Sequence, residues 1–231
     1  MNERHAGRVY FVSGIDTGVG KTVATGLMAR HLANRGIDAI TVKMVQTGCD
    51  GFSEDLGEHR RICGISQLPE DGEGLTSPQV FKFPASPLLA ARLEGASVDL
   101  DLIRSSVAEC ARRRDVVLVE GAGGLLVPLA GDVMSADFAA GEKWPLVLVT
   151  CGRLGSLNHT LLSLEAAASR GMQVAGVVYN WCPDADPAID ADTENEIRRG
   201  LARLGFDAPV VRVPRIGGDA LPDVDFSEIF R

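Results

Sequence analysis

Six short runs along the chain are apolar at successive positions instead of alternating with polar residues. They are Val9–Ser13, Ala39–Lys43, Val116–Glu120, Leu146–Thr150, Val174–Tyr179 and Val210–Val213. Strands of this kind are buried on both faces, as in a mainly parallel sheet covered by helices. Between them the apolar spacing becomes helical. Thr22–Arg35 ends at Gly36, placed as a C′ glycine, and Leu157–Arg170 stops at Gly171. Leu102–Arg114 gathers Ile103, Val107, Cys110 and Ala111 on one face, and Ala191–Leu204 does the same with Ile197, Leu201 and Leu204. Repeated strand–helix–strand units predict right-handed crossovers with helices on both sheet faces. The expectation is an α/β fold of three layers in a single domain over residues 1–231.

Two stretches read as loops. Pro69–Pro87 is rich in glycine and proline and is expected to cross one edge of the fold. Pro183–Asp192 carries Asp184, Asp186, Asp190 and Asp192 but lacks the glycine and terminal glutamate of an EF-hand, so a solvated loop is expected there in place of a Ca²⁺ site.

Composition narrows the function classes. The chain has 31 acidic against 23 basic residues and a net charge of −8, a poor match to nucleic acid. No apolar run approaches the roughly 18 residues that span a bilayer. The N-terminal Met1–His5 lacks a secretory apolar segment, which makes the cytoplasm the expected compartment. Cys49, Cys63, Cys110, Cys151 and Cys182 form no C-x-x-C pair and read as idle thiols. His5, His31, His59 and His159 show no metal-ligand spacing and read as surface or capping residues.

Candidate chemistry lies where strands end, because ligands of doubly wound sheets bind beyond the carboxyl ends. After the first strand comes Gly14-Ile15-Asp16-Thr17-Gly18-Val19-Gly20-Lys21-Thr22. Such a loop lets backbone N–H groups crowd an anion at a helix N-terminus, with a lysine for charge and a threonine hydroxyl for Mg²⁺. The common spacing would place its first glycine at position 15, where Ile15 stands. Lys43 closes the second strand, either as a snorkelling strand end or as a second cation beside the phosphates. Glu120 closes the third and is followed by Gly121, Gly123 and Gly124, which serve a tight turn or close approach to a ligand. Glu120 and Thr22 are candidate hard-oxygen ligands for Mg²⁺. Asp55 lies at an expected helix start, where N-capping is the alternative role. The turn Gly152–Asn158 offers a second anion site at a helix N-terminus, or a simple cap by Ser156. Asn180 after the fifth strand has the donor and acceptor that an adenine edge needs. Two cations, two carboxylates and a hydroxyl on one edge are the parts of phosphoryl transfer. No Ser-His-Asp or Cys-His arrangement points to acyl-enzyme chemistry.

The chain resembles the dethiobiotin synthetases, ATP-dependent P-loop enzymes of biotin synthesis. The resemblance rests on Gly14–Thr22 with the same shifted glycine, Lys43–Gly48, Val119–Gly124 followed by Pro128, Gly152–His159, and Asn180. It implies a P-loop NTPase-like fold that works as a homodimer. The reaction it implies is capture of CO2 by 7,8-diaminononanoate as a carbamate, phosphorylation of the carbamate by ATP, and closure of a cyclic urea. It implies catalytic roles for Lys43, Lys21 and Thr17. A nucleotide site is implied at Gly18, Val19, Gly20, Lys21, Thr22, Val23, Asp55, Asn180, Val213 and Pro214. A substrate site is implied at Thr17, Lys43, Thr47, Gly123, Gly155, Ser156, Leu157 and Asn158, the last four anchoring a distant carboxylate at the dimer interface. Thr22, Asp55 and Glu120 are the implied Mg²⁺ ligands. Two positions depart from the family pattern: Gly18 stands where glutamate is frequent, and Met44 where proline is usual. Among related P-loop proteins, cobyrinic acid a,c-diamide synthases usually add a glutaminase domain. MinD- or ParA-like switches carry a lysine where Asp16 stands, and often a basic helix where this tail, Asp223–Arg231, is acidic.

Overall fold

The apolar runs settle side by side, each shielded by its neighbours from water. A computed structural model describes residues 6–182, 186–217 and 220–231. In chain order the elements are β1 (Arg8–Gly14), α1 (Lys21–Asn34), β2 (Ala39–Lys43), β3 (Gln46–Thr47), α2 (Glu54–Cys63), α3 (Pro69–Gly72), β4 (Val80–Phe81), α4 (Pro87–Leu93), α5 (Leu100–Arg113) and β5 (Val116–Gly124). Then follow β6 (Pro128–Ala130), β7 (Val133–Met134), α6 (Ser135–Gly141), β8 (Leu146–Cys151), α7 (Ser156–Ser169), β9 (Val174–Asn180), α8 (Pro187–Arg203) and β10 (Val210–Val213). The central sheet runs β10-β9-β8-β1-β5-β2 with every pairing parallel. Chain connections leave β1 toward β2 on one side and continue through β8, β9 and β10 on the other. The crevice at the end of β1 is therefore a topological switch point.

Alternate residues of each strand feed opposite faces. Phe11, Val117, Val119, Leu146 and Leu148 pack with Ile103 and Val107 of α5, Phe138 of α6, Leu164 of α7 and Ile197 of α8. Tyr10, Val12, Leu118, Val147 and Val149 pack on the other face with Ala24, Leu27, Met28 and Leu32 of α1. The C-terminal segment completes that second face with Phe226, Ile229 and Phe230. Each fully buried large side chain contributes about 1.5–3 kcal/mol, so the two layers hold the strand ends in fixed register.

Several expectations change. α8 begins at Pro187 because the Asp186 carboxylate caps it, accepting from the Ala188 and Ile189 N–H groups. Asp190 and Asp192 therefore ride a helix, not a solvated loop; Asp190 accepts from the Tyr179 hydroxyl and pairs with Arg212. Pro183 and Asp184 lie outside the described residues. The stretch 69–87 holds α3, β4 and the first residue of α4. His31 is a buried residue of α1, with Nδ1 3.0 Å from the Val224 carbonyl, so a surface role is wrong for it. His5 lies outside the described residues.

Candidate active site

The first strand stops at Gly14, and the loop that follows turns on Gly18 and Gly20, at φ of 77° and 87°. Gly20 heads α1 without any side-chain cap, so the first N–H groups of the helix are left to the loop's interior. A Cβ on Gly20 would stand 2.5 Å from Asn180 Nδ2. That amide donates to the Val19 and Gly20 carbonyls at 2.7 and 3.3 Å, which ties the end of β9 to the loop. The same geometry leaves Asn180 Oδ1 buried and without a partner among the described residues. Val213 is the strand neighbour of Asn180, with Pro214 next in the chain. Lys21 Nζ curls back to the Asp16 carbonyl at 3.1 Å. Burial is the main cause of its lowered pKa, aided by repulsion from Lys43 and opposed by Glu120. Asp16 pairs with Arg153 at 2.5 Å, a contact that joins the loop to the turn before α7 and lowers the carboxyl pKa. Thr17 and Gly18 are exposed at the tip, Val19 is buried, and Val23 is half-buried on α1.

Beside this loop β2 ends at Lys43, in register with Glu120 of β5, which runs on to Gly124 where the sequence suggested that the strand closed. Lys43 Nζ lies 2.5 Å from Asp55 Oδ2, 2.9 Å from Glu120 Oε1 and 3.3 Å from the Gly121 carbonyl. Burial opposes the ammonium, yet Glu120 and Asp55 outweigh it and raise the Lys43 pKa. Glu120 is fully buried; against that cost, Lys43 and a hydrogen bond from His59 hold its carboxyl far below the usual range. Thr22 Oγ1 stands 3.0 Å from Asp55 Oδ1 and 3.2 Å from Glu120 Oε1. Asp55 reaches this place because Ser53, not Asp55, caps α2, accepting from the Leu56 N–H. The Asp55 carboxylate is left to face the loop.

A cavity of about 640 Å³ opens over these groups, within the usual range of ligand sites. Thr17, Gly18, Gly20, Lys21, Thr22, Lys43, Thr47, Asp55, Glu120 and Gly123 line it. Gly155–Asn158 do not. They form the uncapped start of α7, where Gly155 has φ 90° and the buried Ser156 hydroxyl lacks a partner among the described residues. Of the two roles the sequence left open for this turn, the cap by Ser156 is absent. Leu157 is half-buried and Asn158 exposed. A neighbouring groove of about 360 Å³ runs from Thr17 past Leu125 and Val127 to His159 and Leu162.

The oxygens of Thr22, Asp55 and Glu120 make a hard donor set suited to Mg²⁺, which takes one or two carboxylates and completes its shell with phosphate and water. Among the described residues no group of three or more His, Cys, Asp or Glu is arranged to hold a metal alone.

Sequence reasoning missed His59. It is fully buried on α2, with Nε2 2.9 Å from Glu120 Oε2 and Nδ1 3.1 Å from Thr41 Oγ1. It also missed Gln46, a cavity wall residue held by Ser53 at 2.5 Å. The departure at Met44 has a use: its N–H donates to the Glu120 carbonyl at 3.0 Å, a bond that proline cannot make. Gly18 lies in the left-handed region with nothing near its missing Cβ.

A glycine loop between a central parallel strand and a helix, with a lysine and a threonine at the helix start, defines a P-loop nucleotide-binding protein of the NTPase-like class. Comparison with solved structures agrees on the fold. The ParA family ATPase from Chlorobium tepidum TLS superposes with a TM-score of 0.54 at 16% identity, over 92% of this chain and 86% of that one. The signal recognition particle receptor FtsY from Elizabethkingia anophelis gives 0.52 at 16% identity, with 99% and 63% covered. A family profile described as an AAA domain matches residues 8–212. The ATP-dependent dethiobiotin synthetase BioD of Chlorobaculum tepidum is 50% identical over 217 residues, 94% of this chain and 91% of that protein. The synthetases BioD 2 of Haemophilus influenzae and Pasteurella multocida are 49% and 45% identical, over 78% and 85% of this chain and 94% and 92% of theirs. The chain belongs to the ATP-dependent dethiobiotin synthetase family.

Proposed function

We propose that the protein is an ATP- and Mg²⁺-dependent cyclo-ligase that joins CO2 to 7,8-diaminononanoate and closes the urea ring of dethiobiotin, releasing ADP and phosphate. The observation that carries this reading is the convergence of Lys21 and Lys43 on one cavity beside three oxygen donors. Family membership then names the substrate. Identity of 45–50% over most of the chain favours a synthetase over a ParA-like switch, since the likeness to the ParA ATPase is one of fold alone.

In this reading Thr22, Asp55 and Glu120 would hold Mg²⁺, and the ion would supply positive charge against the phosphates. The N–H groups from Gly18 to Val23 cradle the triphosphate. Lys21 neutralises charge on the transferring phosphoryl group, and Lys43 exchanges a carboxylate partner for the carbamate. Each such contact is worth roughly 3 kcal/mol in the transition state. Thr17 and Thr47 orient substrate and phosphate oxygens, with Gly123 giving close backbone approach. Asn180 Oδ1 accepts from an exocyclic amine of the base, with Val213 and Pro214 beside it.

Gly155–Asn158 lie away from the cavity of their own protomer. A homodimer that brings a partner's α7 start to the cavity would let the Ser156 hydroxyl and the helix N-terminus take the substrate carboxylate. Exposed Leu126 and Leu162, which line the groove, support a dimer face there. The proposed compartment is the cytoplasm, compatible with free cysteines; among the described residues no helix is long and apolar enough to cross a membrane. Phosphate release with and without diaminononanoate and bicarbonate is the decisive assay. Release that needs both substrates and Mg²⁺ supports the reading, and release indifferent to the diamine overturns it. Sedimentation of the purified protein as a monomer would remove the dimer.

A further inference from the structure

Hydrogen-bond directions around His59 follow from what each neighbour can do. A carboxylate only accepts, so the ring carries its proton on Nε2 and donates to Glu120 Oε2. A guanidinium only donates, so Arg60 Nη1 gives to Thr41 Oγ1 at 2.8 Å. Thr41 Oγ1 stands 3.1 Å from His59 Nδ1, so both ring nitrogens have a partner. The chain is anchored at its far end: Asp71 takes two bonds from Arg60, at 3.0 and 2.7 Å, and further ones from Thr76 and the Leu68 N–H. Thr41, His59 and Glu120 are all fully buried. Only Glu120 Oε1 is left for Lys43 and Thr22.

We propose that His59 is a positioning residue: by fixing Glu120 Oε2 it aims Oε1 at the place shared with Thr22 and Asp55, and so sets the affinity of the site for Mg²⁺. The proposal rests on the reading of Glu120 as a Mg²⁺ ligand. Outer contacts that orient a ligating side chain are commonly worth 10–100-fold in metal affinity. Without the ring N–H, the Glu120 carboxylate can turn about its last bond, and Oε1 is no longer held toward Thr22.

The test uses the full-length protein with ADP, titrating Mn²⁺ as the probe by electron paramagnetic resonance. ADP affinity in EDTA and the melting temperature are read in parallel. His59→Leu should weaken Mn²⁺ by roughly 10–100-fold while metal-free ADP affinity stays put. The Mg²⁺ concentration for half-maximal turnover should rise by a similar factor. His59→Gln, which keeps an N–H donor, should recover most of the loss. A folded His59→Leu with wild-type Mn²⁺ affinity, when Glu120→Gln loses it, overturns the positioning role and leaves the metal site standing. If Glu120→Gln itself binds Mn²⁺ normally, the metal assignment fails and the proposal falls with it. Should His59→Leu not fold, His59→Gln decides. Near-normal Mn²⁺ binding supports the proposal, and joint loss of Mn²⁺, metal-free ADP binding and melting temperature overturns it in favour of a merely structural role.

Discussion

The two halves of the central sheet end in opposite chemistry. On the β5 and β2 side stand Glu120, inside β5, and Lys43, at the end of β2, and each charge already faces another: Lys43 with Asp55 and Glu120, Arg60 with Asp71. On the β8 and β9 side the corresponding ends are Cys151 and Asn180, followed by the turn into α7. Two buried oxygens there, Asn180 Oδ1 and Ser156 Oγ, find no partner among the described residues. Buried polar atoms without partners cost about 1–3 kcal/mol each. One half is thus saturated by its own side chains, while the other keeps two buried oxygens without partners among the described residues. Under the proposed function, the difference would separate charge stabilisation from recognition.

Variants should respect that division. Lys43→Ala and Lys21→Ala should each cut kcat by about 100–1,000-fold, measured by phosphate release. Loss confined to KM would move these lysines into the recognition half. Asn180→Ala should raise the KM for ATP roughly 10-fold with little change in kcat, the cost of one or two hydrogen bonds. A kcat effect of similar size would erase the distinction. Ser156→Ala should raise the KM for the diamine by a few-fold, about 1 kcal/mol, and leave ATP untouched.

The saturated half also has a pH signature. Against the cost of burial, Arg60, the Leu68 N–H and Thr76 keep the Asp71 carboxyl below the ordinary aspartate value of 3.8. A depressed acid contributes stability that is complete above that value and lost as pH falls through it toward the folded-state pKa. Asp71→Asn should therefore lower stability by about 2 kcal/mol at neutral pH. Thermal melts should show the gap to wild type closing as pH falls below 3.8. The smallest effect is expected at Cys110. Burial, aided by Glu70, pushes its thiol up to about 12, so iodoacetamide near neutral pH should leave it unmodified in the folded protein.

The sheet was legible because strands covered on both faces need apolar residues at every position, and Val116–Val119 or Leu146–Val149 have no other reading. Lys43 and Glu120 stood out for a related reason: a charge ending such a run must have a partner or a ligand. His59 gave no such signal. Its neighbours Glu58, Arg60 and Arg61 look like a solvated helix face, and its burial comes from the packing of α2 on α1 and β2. Asp186 and Ser156 misled in opposite ways. The first lay in an acidic stretch that hid a helix cap, and the second resembled a cap while its hydroxyl points elsewhere. Cap geometry depends on one dihedral, which composition does not encode.

β1 lies between β5 and β8, with Arg8 beside Val116 and Phe11 beside Leu146. β1 therefore waits for partners far along the sequence before its edges are covered. Pairings of such long sequence separation slow folding and prolong the exposure of sticky surface. A nascent chain halted before Leu146 would hold its phosphate loop on a strand with one side still open.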